Sequence, residues 1–268
     1  MASDFTDKET YQKDFDPKAY LDTYYASENG HRITDEYLIF MLKNLFNTFT
    51  SGGVKGNLLL DIGTGPSIYH LLSACESFNE IIATDYTDRN RQELETWLKK
   101  EPGAFDWSSV VKFVCELEGD REKWAEKEEK LRRTVTRILK CDVTKNNSLD
   151  PLVLPQADCL LTCLCLEGAS KDPDSYCCAL RNISSLLKSG GHLVMGGVLG
   201  NGMYMVGEKQ FSGFPMDKEF LEKAVSGEGY VVEQLEVQPR SDLTGVHLAN
   251  YNAIFFVLAR KMGDKQSS

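Results

Sequence analysis

The sequence predicts an α/β fold with a mainly parallel sheet and helices on both faces, and two observations carry this. First, short continuous apolar runs recur through the chain, each ending in glycines or an acid. Leu58-Leu59-Leu60-Asp61-Ile62 runs into Gly63-Thr64-Gly65-Pro66, and Ile81-Ile82-Ala83-Thr84 runs into Asp85. Strands buried on both faces read this way, whereas a strand with one wet face alternates. Second, helical segments lie between the runs, and such alternation produces parallel pairing.

Residues 1–52 read as helical and are rich in aromatics: Phe5, Tyr11, Phe15, Tyr20, Tyr24 and Tyr25 precede an apolar-periodic stretch from Tyr37 to Phe49. Ser51-Gly52-Gly53 ends that stretch. Beyond the first strand, Ser67 to Cys75 predicts a helix, Ile81 to Asp85 a second strand and Arg89 to Lys100 a second helix. The charged segment Glu116 to Arg137 predicts a solvent-facing helix. Arg137 to Val143 predicts a third strand and Ala157 to Leu166 a fourth. A helix over Tyr176 to Leu187 and a fifth strand over Gly191 to Val198 follow. A helix near Lys218–Val225 and strands at Tyr230–Val237 and Asn252–Ala259 complete the order. Residues 1–268 are expected to form one domain, with 53–268 as its Rossmann-like core.

Composition narrows the function. The 268 residues are 42% hydrophobic and 26% charged, an ordinary globular balance. A net charge of −10 argues against a nucleic-acid partner, because such binding rests on Lys and Arg neutralising phosphates. No run approaches the roughly 18 apolar residues of a membrane span, and the polar, acidic start from Met1 to Asp7 is not expected to be a signal peptide. Cys159, Cys163 and Cys165 sit in an apolar run, and Cys177 and Cys178 are adjacent, so the cysteines read as reduced thiols of a cytosolic protein. His31, His70, His192 and His247 are scattered and no CxxC pair occurs, so no metal is expected.

The loop after the first strand holds most information. Ligands of open α/β sheets sit at the carboxyl ends of the strands, and glycines there let backbone approach a ligand. Gly63-Thr64-Gly65 has no third glycine at the dinucleotide position and no Walker lysine, which weakens pyrophosphate binding as an explanation. Asp85 ends the next strand, where a carboxylate can accept both hydroxyls of a ribose. Asp142 ends the third, where it could hold an adenine amino group while Val143 packs on the ring. The succession of GxG, Asp and Asp at three strand ends looks like the class I S-adenosylmethionine-dependent methyltransferase fold. The alternatives are an NAD-dependent oxidoreductase, or a cofactor-binding protein without turnover.

Longer segments carry a closer resemblance. Asp61-Ile62-Gly63-Thr64-Gly65-Pro66-Ser67-Ile68-Tyr69, Trp97-Leu98-Lys99-Lys100-Glu101-Pro102, Leu139-Lys140-Cys141-Asp142-Val143, Tyr204-Met205-Val206-Gly207 and Ala259-Arg260-Lys261 resemble the nicotinamide, indolethylamine and phenylethanolamine N-methyltransferase family. The match runs from about residue 5 to 261. It implies S-adenosylmethionine as cofactor, methyl transfer to a small amine, and an N-terminal helical lid over the active site at 1–52. It also implies site residues. Tyr20 and Tyr25 would touch the carboxylate or sulfonium region, and Gly63, Thr64, Ser67 and Tyr69 the methionine part. Asp85 and Asn90 would take the ribose, Asp142 and Val143 the adenine, with Cys163 a further cofactor contact. Tyr20 and Tyr204 would be the catalytic pair, Tyr204 also stacking on an aromatic acceptor. A monomer is expected, with no nucleic-acid or membrane partner.

The acceptor pocket departs from the pattern. Nicotinamide methyltransferases resemble each other in carrying an Asp at the position of Gly197 and serines at those of Asn201 and Gly213. Losing that grip implies a wider, less polar pocket, for which aryl or arylalkyl amines are favoured over nicotinamide. Phe105-Asp106-Trp107 and the Glu116–Arg133 region read closer to the indolethylamine members, so a tryptamine-like acceptor is expected, with nicotinamide as the alternative. On this reading Gly197→Asp should raise nicotinamide turnover.

Overall fold

The computed structural model describes residues 5–26 and 33–263; His31 and the start from Met1 to Asp4 lie outside them. The central sheet has seven strands in the order β3-β2-β1-β4-β5-β9-β8. They are β1 (Gly56–Ile62), β2 (Phe78–Asp85), β3 (Val135–Lys140), β4 (Ala157–Cys163), β5 (Leu187–Leu199), β8 (Tyr230–Pro239) and β9 (Ala253–Lys261). The first five pair in parallel, and β9 runs antiparallel to both β5 and β8. The order reverses at β1, whose neighbours are β2 and β4, and such a switch point opens a crevice at the strands' carboxyl ends.

The apolar runs are explained by two cores, one on each face of the sheet. Leu59, Ile81, Ala83, Leu161 and Val194 enter one, with Met41, Leu42 and Leu45 of α3 (Glu36–Phe46). Leu58, Leu60, Ile62, Ile82, Leu160 and Leu193 enter the other, under α8 (Pro173–Ser184) and α9 (Lys218–Gly227). Helix starts follow from capping acids. Asp7 accepts from the Thr10 amide at 2.8 Å ahead of α1 (Lys8–Asp14), Asp16 precedes Pro17 at the head of α2 (Pro17–Tyr24), and Asp35 accepts from the Leu38 amide at 2.7 Å.

Several elements differ from the sequence reading. Ser67 to Cys75 is not a regular helix but two short 3₁₀ turns, Tyr69–Leu71 and Ala74–Glu76. Every residue from Pro66 to Cys75 is buried, so tertiary packing rather than an amphipathic period shapes it. The charged stretch is divided: α5 (Ser108–Leu117) ends before Gly119, and α6 (Trp124–Thr134) leads into β3. Helix α4 (Asp88–Leu98) ends two residues early, and a short α7 (Leu166–Ala169) follows β4. A hairpin of β6 (Met203–Val206) and β7 (Lys209–Ser212) stands apart from the sheet. Among the described residues no helix is long and apolar enough to cross a membrane, and no group of three or more His, Cys, Asp or Glu could hold a metal.

Candidate active site

A cavity of about 330 Å³ opens where β1, β2 and β4 end. Its floor is the loop after β1. Gly63 has a φ of +71°, and a Cβ there would meet Cys165 Sγ at 2.2 Å, so only glycine fits. Behind the loop, buried Asp61 Oδ2 accepts from the Thr64 hydroxyl at 2.6 Å and pairs with His70 Nε2 at 2.8 Å. Thr64 Oγ1 in turn accepts from the Thr84 amide at 3.1 Å, tying the loop to the end of β2.

Asp85 is the hub of the next wall. Its Oδ2 accepts from the Gly65 amide at 2.9 Å, and its Oδ1 from the Thr87 amide at 2.8 Å, the Thr87 hydroxyl at 3.0 Å and Asn90 Nδ2 at 3.2 Å. Burial pushes this carboxyl up and those donors pull it back. Asn90 lines the cavity, and its Oδ1 is buried with no partner. Asp142 lies just past β3 with Val143 beside it. Against the upward push of partial burial, Lys8 Nζ at 2.6 Å and Thr144 hold Asp142 below the usual carboxylate range.

Tyrosines form the opposite side. The Tyr25 and Tyr69 rings stack at 5.5 Å, the Tyr20 and Tyr25 centroids lie 5.8 Å apart, and the Tyr37 and Tyr69 hydroxyls meet at 2.9 Å. Burial raises the Tyr20 hydroxyl to about 12 and those of Tyr25, Tyr37 and Tyr69 well above their ordinary value. The group is therefore neutral at physiological pH and offers aromatic faces to a cation.

The cavity wall thus brings together Tyr20, Tyr25, Gly63, Thr64, Ser67, Tyr69, Asp85, Asn90, Asp142, Val143, Cys163, Asn201 and Tyr204. Gly197 and Gly213 are not on it. A Cβ on Gly197 would lie 2.6 Å from Glu167 Oε1, and one on Gly213 would lie 2.9 Å from Asn201 Nδ2. Glu167 and the Phe255 ring fill the space beside Gly197, and the backbone and side chain of Asn201 fill that beside Gly213; Glu167 and Asn201 both line the cavity, so it is not emptied of polarity.

Glu167, which the sequence reading did not single out, is the acid of this end. It sits on α7 at 5% exposure, and its Oε1 has no hydrogen-bond partner. Burial raises its carboxyl to about 7. Its one available signal was an acid just past the β4 strand end, the position class that had exposed Asp85 and Asp142.

Known proteins match this chain in sequence and in fold. The profile of the NNMT/PNMT/TEMT family matches residues 3–262. The chain belongs to that family. It is 52% identical to human nicotinamide N-methyltransferase, covering 98% of each chain, and 53% identical to mouse indolethylamine N-methyltransferase, covering 94% and 95%. Magnesium protoporphyrin IX methyltransferase from Synechocystis PCC 6803, solved with bound S-adenosylmethionine, shares the fold. Its TM-score is 0.57 at 9% identity, covering 97% of this chain and 100% of that one. The chain is an S-adenosylmethionine-dependent N-methyltransferase of class I fold. Family membership displaces the oxidoreductase alternative.

Proposed function

We propose that this methyltransferase acts on the nitrogen of an aryl or arylalkyl amine that arrives as a cation, with tryptamine-like acceptors favoured. The observation that carries the reading is Glu167, a residue of the cavity wall whose carboxyl is buried, has one oxygen without a hydrogen-bond partner and has a pKa raised to about 7. An alkylammonium must lose its proton before its lone pair can attack, and a carboxyl titrating near 7 is suited to hold the cation and take that proton.

Asp85 and Asn90 would hold the ribose of the cofactor, and Asp142 and Val143 its adenine. Gly63, Thr64, Ser67, Tyr69 and Cys163 would border the methionine part. S-adenosylmethionine supplies a methyl group on a sulfonium, which leaves as the acceptor nitrogen bonds to it and the C–S electrons return to sulfur. Tyr20 and Tyr25 would face the sulfonium, where a ring face adds attraction of roughly 0.5–2 kcal/mol. Tyr204 would stack on the acceptor ring and set its nitrogen in line, and alignment itself lowers the barrier. Asn201, with a buried Oδ1 that has no partner, adds an acceptor at the same end. That atom favours one second reading, a neutral carboxamide such as that of nicotinamide, as does the kinship with the nicotinamide enzyme. The N-terminal segment 1–52 would act as a lid. The eight free thiols support a reduced, cytosolic setting, and the scattered exposed apolar side chains support a monomer.

Glu167→Gln tests the reading. It should lower kcat/KM for tryptamine by about 10²-fold or more, the usual yield of a positioned base, and that for nicotinamide, which has no proton to lose, by less than about tenfold. Equal losses on both acceptors would refute it.

A further inference from the structure

Helix α1 reaches both ends of the cavity with side chains one turn apart. Lys8 Nζ lies 2.6 Å from Asp142 Oδ2 on the cofactor side. The Tyr11 hydroxyl lies 2.7 Å from that of Tyr204 on the acceptor side. Positions three apart share a helix face, so one contact cannot shift without straining the other. Two further bonds fix the helix on the cofactor rim: Tyr86 donates to Glu9 at 2.7 Å, and Gln12 Nε2 donates to Asp88 at 2.8 Å.

The Tyr11 hydroxyl has room because residue 168 is glycine; a Cβ on Gly168 would sit 3.1 Å from it. The Tyr11 ring packs against Phe211 at 5.0 Å, and Tyr204 stacks on the same Phe211 at 5.6 Å with the planes 27° apart. The Tyr204 ring is therefore fixed by one stacking contact and one hydroxyl bond. Burial raises both hydroxyls of the pair, which keeps it neutral, with one oxygen donating to the other.

We propose that Tyr11 is a positioning residue of the acceptor site. Its hydroxyl sets the Tyr204 ring against which the acceptor stacks, and its helix ties that setting to the cofactor rim through Lys8. The inference rests on the stacking role given to Tyr204 under the proposed function.

The test is a double-mutant cycle of Tyr11→Phe and Tyr204→Phe, with Tyr204→Ala alongside. The acceptor is whichever of tryptamine, phenylethanolamine and nicotinamide the wild type uses with the highest kcat/KM. Loss of one neutral hydrogen bond predicts that Tyr11→Phe raises the acceptor KM about five- to tenfold. It should leave calorimetric affinity for S-adenosylhomocysteine as in the wild type and lower kcat by less than it raises KM. The double variant should be no worse than the poorer single one. An unchanged acceptor KM in Tyr11→Phe, additive losses, or a fall in Tm with equal losses for cofactor and acceptor would each overturn the proposal. If Tyr204→Ala leaves the acceptor KM unchanged, the stacking role of Tyr204 is itself wrong. If Tyr204→Ala raises it and Tyr11→Phe does not, only the role of Tyr11 fails.

Discussion

Gly197 and Glu167 share one space: a Cβ on Gly197 would lie 2.6 Å from Glu167 Oε1 and 2.7 Å from Cε1 of the Phe255 ring. The acid of this corner comes from α7 rather than from β5, and the glycine is what lets it in.

Gly197→Asp should therefore not raise nicotinamide turnover, contrary to the expectation from sequence. Overpacking against a buried ring, with a second carboxylate beside Glu167, should cost about 2–4 kcal/mol of stability in denaturant titration. Glu167→Ala in the same chain should restore part of it. A Gly197→Asp protein of wild-type stability and improved nicotinamide turnover would contradict this packing.

Glu167 should also leave a pH signature in stability. Its carboxyl rises from an ordinary 4.5 to about 7 on folding, so the folded state holds this proton more tightly. That contribution is complete below pH 4.5 and is lost as pH rises from about 4.5 to 7. Glu167→Gln removes the loss. Relative to the wild type, its stability should improve by up to roughly 3 kcal/mol between pH 4.5 and pH 8, read from urea titrations. A difference independent of pH would place Glu167 in a wetter setting.

Asp85→Ala should weaken S-adenosylhomocysteine binding by about 1.5–3 kcal/mol in calorimetry, since charge-assisted bonds to two hydroxyls would go. The sequence reading expects the fold to be untouched. The structure adds a cost, because Asp85 also satisfies Gly65, Thr87 and Asn90, and its loss should lower stability by about 1–3 kcal/mol. Unchanged affinity would remove Asp85 from the cofactor site.

Far from the cavity, Lys127 of α6 is buried between Glu76 at 2.5 Å and Glu118 at 2.6 Å. Lys127→Met leaves those carboxylates without their shared cation and should cost about 3–5 kcal/mol in guanidinium titration. The activity of the folded fraction should be unchanged. A cost below about 1 kcal/mol would mean the pair is screened by water.

The strand framework was legible because β1, β2, β4 and β5 are buried on both faces, which writes continuous apolar runs into the chain. Asp85 and Asp142 were legible because each stands at or just past a strand end. Glu167 stands in a similar place, but it opens a one-turn helix of Leu166-Glu167-Gly168-Ala169 with no spacing pattern, and its burial is a product of packing. Gly197 reads as a hole in one dimension because Glu167 and Phe255, which fill it, belong to distant segments, and Gly213 because Asn201 folds back on it across the hairpin. Helix α5 was readable, with Val110, Val111, Val114 and Cys115 on one face, and so was the hairpin turn at Gly207-Glu208. The charged stretch after α5 masks the first of these two signals.

The most direct test is transfer of a labelled methyl group from S-adenosylmethionine to tryptamine, phenylethanolamine, nicotinamide and quinoline under one set of conditions. A buried carboxyl at the acceptor end predicts a higher kcat/KM for tryptamine or phenylethanolamine than for either pyridine-type acceptor. A higher kcat/KM for nicotinamide than for both arylalkylamines would contradict it, and would assign the acceptor end to Asn201 and its amide.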